Sequence, residues 1–298
     1  MSKPEVQKLL SVCIIGKPNA GKSTLLNKII GQKISIVTPK VQTTRSIITG
    51  VITIENTQFI LFDTPGIFNA KKKLEKAMVK CAWSSLNNAD IVVLILDSGA
   101  KIDEMMDTII LRIKELGKKV VFLLNKIDLH SKYYIDNLNY LIKHFPDSNK
   151  FNISALTGQG IDGFVEFLKN NARKADWLYE RDDITNLSMR FLASEITREQ
   201  LFLNLHQELP YNLTVENESW QNKPDGSVKI NQVIIVSKES YKNMIIGQKG
   251  QKIKEIGTKA RTNIEELFGI KIHLFLFVKV RKSWEDNPEL YLSMGLKL

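Results

Sequence analysis

Four short strings in this sequence carry residue types suited to anions, metals and bases. Gly16-Lys17-Pro18-Asn19-Ala20-Gly21-Lys22-Ser23, followed by Thr24, fits the pattern G-x-x-x-x-G-K-[ST]. A loop of this kind wraps backbone N–H groups around phosphate oxygens, and its glycines permit close approach. A helix starting at Ser23 aims the positive end of its dipole at the same anion. Lys22 then sets a point charge on the β- and γ-phosphates, and the Ser23 hydroxyl is a Mg²⁺ ligand. Asp63-Thr64-Pro65-Gly66 offers a carboxylate for Mg²⁺, through water, and in Gly66 an amide for a γ-phosphate oxygen. Asn125-Lys126-Ile127-Asp128 ends in a carboxylate that accepts both N1–H and N2–H₂ of guanine. Adenine offers neither donor, and a buried carboxylate left unpaired by the wrong base discriminates by a factor on the order of 10⁴. Asn125 would brace base and loop, and the stem of Lys126 would cover the base. Ser154-Ala155-Leu156 follows a short apolar stretch and can supply a backbone N–H to the guanine carbonyl.

Each string needs an element to hold it. Leu9–Ile15, Phe59–Phe62, Ile91–Leu96 and Val120–Leu124 are short, apolar and rich in β-branched residues, the pattern of buried parallel strands. Each of the first three chemical strings follows such a run directly or begins where one ends. Helices are predicted over Ser23–Ile30 and Glu104–Leu116, closed by Gly31 and Gly117, and over Lys72–Asn87 and Ile161–Arg173. Alternating strand and helix predict an α/β layered domain with a mostly parallel sheet over residues 1–175. Residues 176–185 are polar and acidic and read as a linker. Residues 186–298 have another rhythm: a long helix over 187–209, strands over 213–220 and 228–237 joined at Lys223-Pro224-Asp225-Gly226, helices over 240–246 and 252–268, and a strand over 271–281. Phe275 and Phe277 alternate along that last strand and are read as core.

Between the two last helices lies Ile246-Gly247-Gln248-Lys249-Gly250-Gln251-Lys252-Ile253. A G-x-x-G turn in the order α-β-β-α-α-β is the clamp of a type II KH domain, an α+β fold that holds about four nucleotides of a single strand by backbone. Lys249 and Lys252 supply charge, while Ile245, Ile246 and Ile253 face either bases or core.

Composition bounds the remaining classes. The chain has 298 residues, 43% hydrophobic and 25% charged, which fits a folded globular protein of about two domains and argues against disorder, collagen and coiled coil. Two cysteines, Cys13 and Cys81, make neither a disulfide framework nor a four-ligand zinc site, and a reducing cytosol is expected. The longest aliphatic run, Ile91–Leu96, is far shorter than the ~20 residues of a membrane span. No secretory leader is read at Lys3, Glu5 and Lys8. The net charge of +10 falls entirely in residues 1–175 and suggests a polyanionic partner. Lys71-Lys72-Lys73 reads as a solvated loop, and His130, His144, His206 and His273 show no metal-ligand spacing.

In this order, each at a strand end, the four strings resemble the translation-factor class of GTPases. Gln42-Thr43-Thr44-Arg45 resembles the first switch of that class. The likeness implies Thr44 as a Mg²⁺-binding threonine, with Thr43 as the alternative. It thereby implies catalysis by Lys22, Thr44 and Gly66, and Mg²⁺ held by Ser23, Thr44 and Asp63. The nucleotide would be cradled by Gly16 to Thr24, Asp63 to Ile67, Asn125 to Asp128 and Ser154 to Leu156. Ile67 stands where a Ras-like GTPase has a water-orienting Gln, so slow intrinsic hydrolysis is expected. Asn19 resembles a residue that coordinates K⁺ near the phosphates in some relatives, and K⁺ in place of an arginine finger is the expectation that follows. With the KH-like segment, nearly the whole chain resembles the Era-like family of bacterial GTPases. This likeness includes Glu208-Leu209-Pro210-Tyr211, Gly257 to Arg261, Trp284-Glu285-Asp286 and the ending at Gly295-Leu296. It implies a monomeric GTP switch binding the 3′ end of small-subunit ribosomal RNA through Ile246 to Gly250, Lys252 and Ile253. It also implies action in small ribosomal subunit assembly, in the cytoplasm and in peripheral association with the inner membrane. The competing readings are a structural KH protein with a vestigial nucleotide site and a tRNA-modification-type GTPase. Intact Lys22, Ser23, Asp63 and Asp128 weigh against the first, and the lack of an extra catalytic cysteine or methyl-donor site against the second.

Overall fold

The predicted strands form where runs of β-branched residues can be buried on both faces. A computed structural model describes residues 6–287 together with Tyr291, Met294 and Leu296. Lys3, Glu5 and Gly295 lie outside the described residues. The chain divides into two compact units, the first comprising the residues to Ser35 and Thr44–Asn186, the second Ile36–Thr43 and Leu187–Met294.

In the first unit β1 (Lys8–Ile15), β3 (Thr57–Asp63), β4 (Ile91–Asp97) and β5 (Lys119–Asn125) carry the expected apolar runs. With β2 (Ile48–Ile54) and β6 (Lys150–Asn152) they form a sheet ordered β2-β3-β1-β4-β5-β6. Pairings of β1 with β3 and β4, of β4 with β5 and of β5 with β6 are parallel, whereas β2 runs antiparallel to β3. A two-residue strand β7 (Arg173–Lys174) pairs with the start of β1. The chain winds to both sides of β1, so the C-terminal end of β1 is the switch point at which open α/β sheets bind ligands. Helices α1 (Lys22–Ile30), α2 (Lys73–Ser85), α3 (Glu104–Glu115), α4 (Tyr134–His144) and α5 (Ile161–Asn170) accompany the sheet. Gly31, at φ 79°, ends α1 as expected, and the Asp103 carboxylate caps α3 by accepting from the Met106 amide.

Residues 176–185 run along the first unit and are hydrogen-bonded to it. Gln58 is fully buried, and its amide must be satisfied. It donates to the Tyr179 carbonyl at 2.9 Å and accepts from the Leu178 amide at 2.9 Å. The Val51 amide donates to the Ile184 carbonyl at 2.8 Å, which occupies part of the otherwise open edge of β2.

The second unit has the expected order: α6 (Met189–Asn204), β8 (Leu213–Asn222), β9 (Val228–Val236), α7 (Glu239–Ile246), α8 (Gln251–Phe268) and β10 (Ile272–Val280). Its sheet is ordered β10-β9-β8, with β9 antiparallel to β8 and parallel to β10. The helix expected to reach 209 stops at Asn204, where Leu205 turns extended, and a short 3₁₀ turn containing Pro210 follows. The core gathers Leu201, Leu213, Ile234, Val236, Ile245 and Ile256. Phe275 and Phe277 are not in it; they are 47% and 46% exposed. Alternation explains this. Leu274, Leu276 and Val278 take the inward positions of β10, so the odd-numbered residues face out. The segment Ile36–Thr43 is fastened to α6: the buried Arg198 guanidinium donates to the Thr43 carbonyl at 2.7 Å, and the Glu199 carboxylate accepts from the Val37 amide at 2.8 Å.

Candidate guanine-nucleotide site and nucleic-acid interface

The C-terminal ends of β1, β3, β5 and β6 bring the four strings together. The phosphate loop opens directly from β1 and closes into α1. Gly21 has φ 102°, and a Cβ there would stand 2.1 Å from the Asn125 amide nitrogen. A Cβ on Gly66 would lie 2.8 Å from the Pro18 backbone, and the Ile67 amide donates to the Gly16 carbonyl at 3.0 Å. The loop after β3 is thus hydrogen-bonded onto the phosphate loop. Ile67 itself is buried in the core and orients nothing.

Inside the loop, Lys22 Nζ donates to the Lys17 carbonyl at 2.9 Å and lies 3.3 Å from the Gly16 carbonyl. Burial lowers its pKa to about 8, partly offset by the Asp63 carboxylate. Ser23 Oγ lies 2.6 Å from Asp63 Oδ2 and 2.9 Å from Thr44 Oγ1. Burial pushes the Asp63 carboxyl up, against the pull of Lys22 and of the Ser23, Ser35 and Thr44 hydroxyls. Asp63 Oδ1 is buried with no hydrogen-bond partner among the described residues. Two hydroxyls and one carboxylate, one of whose oxygens is unsatisfied, form the kind of sparse oxygen set that suits a Mg²⁺ also bound to phosphates. Among the described residues no group of three His, Cys, Asp or Glu exists that would hold a metal without them.

At the end of β5, Asn125 ties two loops. Its amide donates to the Ala20 carbonyl at 2.8 Å and its oxygen accepts from the Ala155 amide at 2.8 Å. The Lys126 backbone is left-handed, at φ 66°, and its ammonium pairs with Asp97 at 2.6 Å. Asp128 Oδ1 is buried without a partner among the described residues, an acceptor suited to the guanine N–H groups. Ser154 and Ala155 donate their amides to Gln159 and Asn125, so a base carbonyl at this loop competes with Asn125 for the Ala155 amide. A cleft of about 450 Å³ runs between Thr24, Lys28, Lys33, Ala155 and Leu156 beside these residues. Sequence reasoning missed Ser35, which is buried and donates to Asp63 Oδ2 at 2.8 Å, and Asn27, whose side chain holds the Ile34 and Ser35 backbone. A lone serine in an apolar run and a helical asparagine give no motif to read.

In the second unit α7 ends at Gly247, with φ 70°, and Lys249 and Gly250 are left-handed, at φ 46° and 76°. A Cβ on Gly247 would stand 2.6 Å from the Lys252 Cβ, so the turn is as tight as a backbone clamp requires. Gln248 and Lys249 are exposed, and Ile246, Gly250, Lys252 and Ile253 are half-buried. Ile245 is fully buried in the core, which removes it as a base contact.

Phosphate loop, Mg²⁺-type oxygens, guanine acceptor and G-x-x-G turn define a P-loop GTPase joined to a KH domain. Residues 11–126 match the family model of the 50S ribosome-binding GTPases and residues 208–285 that of the KH domain. The chain belongs to the Era family of GTPases. It is 60% identical to GTPase Era of Rickettsia conorii over 97% of this chain and 86% of that one. It is 46% identical to GTPase Era of Mesorhizobium japonicum over 96% and 93%. A crystal structure of Era in complex with MgGDPNP and nucleotides 1506–1542 of 16S ribosomal RNA matches with TM-score 0.92 and 36% identity, over 98% of this chain and 100% of that one. Era of Aquifex aeolicus, a variant bound to GDP and aluminium tetrafluoride, matches with TM-score 0.93 over the same shares, also at 36% identity.

Proposed function

We propose that this chain hydrolyses GTP with Mg²⁺ as a switch, binds the 3′ region of 16S ribosomal RNA through its KH domain, and acts in small ribosomal subunit assembly. The observation that carries the reading is the conjunction of an unpartnered Asp128 oxygen at a P-loop site with a G-x-x-G turn in the same chain. The full-length likeness to an Era bound to MgGDPNP and 16S RNA supports it. In this reading Gly16 to Thr24 hold the phosphates, with Lys22 on the β and γ groups. Ser23, Thr44 and Asp63 hold Mg²⁺, which neutralises charge on the transferred phosphoryl group. The Gly66 amide holds a γ-phosphate oxygen, so the loops at Thr44 and Gly66 order with GTP and relax after hydrolysis. Asn125 to Asp128 and Ser154 to Leu156 select guanine. Gly247 to Gly250 clamp the RNA backbone, with Lys249 and Lys252 as its charges and Ile246 and Ile253 against bases. Functionally the division is a GTPase domain over 1–175 and an RNA-binding domain with its tail over 186–298.

The test is anisotropy of labelled RNA spanning nucleotides 1506–1542, with GDP or GDPNP and Mg²⁺. Binding that is tighter with GDPNP and lost in a Lys249→Glu/Lys252→Glu variant is expected; no binding in either state overturns the RNA assignment. GTP turnover higher in K⁺ than in Na⁺ is expected from Asn19, and equal turnover removes K⁺ from the reading. The basic first 175 residues support peripheral contact with anionic membrane, and sedimentation with anionic vesicles tests it.

A further inference from the structure

The sheet of the second unit has a face that the KH clamp does not use. Helices α6, α7 and α8 pack on one side, through Leu274, Leu276 and Val278 of β10. The opposite side of β10, an edge strand, presents His273, Phe275, Phe277 and Lys279, with Arg281 just past its end. Two consecutive outward positions are phenylalanines left about half in water. Rings two residues apart on one face of a strand stand roughly 7 Å apart, a spacing that suits flat groups.

The neighbours of these rings are polar and basic. Lys229 Nζ lies 5.3 Å from the centre of the Phe275 ring. Lys279 and Arg281 continue the line, each paired with one glutamate, Glu218 at 2.7 Å and Glu216 at 3.2 Å. Across the sheet, Phe275 is in register with Asn231, and Asn231 with Ser219. Asn231 Oδ1 and Ser219 Oγ are buried with no hydrogen-bond partner among the described residues. Unsatisfied polar atoms are rare in native folds and call for a partner. Exposed rings with lysine and arginine beside them match a single-stranded nucleic acid: ring for base face, cations for phosphate.

We propose that the outer face of the β8–β10 sheet, centred on Phe275 and Phe277, is a second contact surface for single-stranded RNA, on which bases stack beyond the nucleotides held at Gly247–Gly250. It rests on the reading of this unit as RNA-binding. The clamp lies on the helical side, so a strand reaching both passes around the β10 edge and must exceed the about four nucleotides a KH clamp holds.

The experiment uses the full chain and labelled single strands of 4, 8 and 12 nucleotides cut from the 1506–1542 segment. Wild type gains affinity from 4 to 12 nucleotides. The Phe275→Ala/Phe277→Ala variant keeps the 4-nucleotide affinity and loses at least tenfold on the 12-mer, with GTP turnover and melting temperature unchanged. Phe275→Tyr/Phe277→Tyr retains the long-strand affinity, and Phe275→Leu/Phe277→Leu does not, because stacking needs a ring. Equal length dependence in wild type and the alanine variant overturns the proposal. So does full rescue by leucine, which marks a face for an apolar protein partner. Wild type that binds no strand of any length overturns the RNA-binding reading itself, a separate failure.

Discussion

Lys22 carries its charge in a fully desolvated place, and that fixes how pH acts on the site. With a pKa of about 8 in the folded chain against 10.5 for an ordinary lysine, the folded chain binds fewer protons than the unfolded one between those values. Stability of the nucleotide-free protein therefore rises with pH across that window through this group. Nucleotide works in the opposite direction, because phosphates favour the ammonium. Above pH 8, GDP binding should take up a proton and weaken, as calorimetry in buffers of different ionisation enthalpy would record, and Lys22→Met should abolish the uptake. Asp128 gives a second residue-scale test. Asp128→Asn replaces an acceptor with a group that can donate, so GDP affinity should fall by a factor on the order of 10⁴ while xanthosine diphosphate gains; unchanged preference in a competition assay would remove Asp128 from the base site. Residues inside motifs were legible because their chemistry dictates their spacing. Ser35 was not, since its meaning comes from a carboxylate 28 positions away that only the folded sheet brings near.

Elements were legible where burial is two-sided. The strands β1, β3, β4 and β5 read as apolar runs, broken in β1 by Ser11, because both faces are covered, and the ends of β1, β3 and β5 fixed three of the four strings. Strand β2 hides because Gly50 and its threonines interrupt the run, yet Gly50 lies where a Cβ would meet Leu26 of α1 at 2.7 Å. Helix α4 hides because its buried residues are Asn137 and Leu141, and Asn137 donates to the Ala100 carbonyl at 2.9 Å rather than filling apolar space. In β10 the alternation was legible and the face was not: two phenylalanines read as core when Leu274 and Leu276 already fill it. The turn between β6 and α5 provides the element-scale prediction. Gly160 has φ 75°, and a Cβ there would stand 2.2 Å from the Asn152 carbonyl oxygen, a backbone atom that cannot step aside. Gly160→Ala should destabilise the protein by about 2–4 kcal/mol, combining the left-handed penalty with displaced backbone. It should also weaken GDP binding through the adjacent Ser154–Leu156 loop. Unchanged melting would show that the turn relaxes freely.

At the scale of the whole molecule, the charge of the first 175 residues and the clamp of the last hundred were legible as two activities in one chain, but their boundary was not a single cut. Arg198 is 2% exposed, its partner Glu195 forms an ion pair with it, and the Thr43 carbonyl completes its donors on one side. Removing one partner of a buried pair costs about 3–5 kcal/mol, so Glu195→Ala should lower the denaturant midpoint of the second unit far more than a surface Glu255→Ala. The excursion Ile36–Thr43 has a practical corollary. A fragment beginning at Leu187 is missing the eight residues that give Arg198 an acceptor and Glu199 a donor. Expressed alone, it should be less stable than the same unit in the full chain, and a synthetic peptide spanning 36–43 should restore part of the loss. The second unit is, in this sense, a discontinuous domain whose first piece is translated some 150 residues before the rest, so on the ribosome that piece must wait for α6 to emerge before Arg198 and Glu199 can bind it.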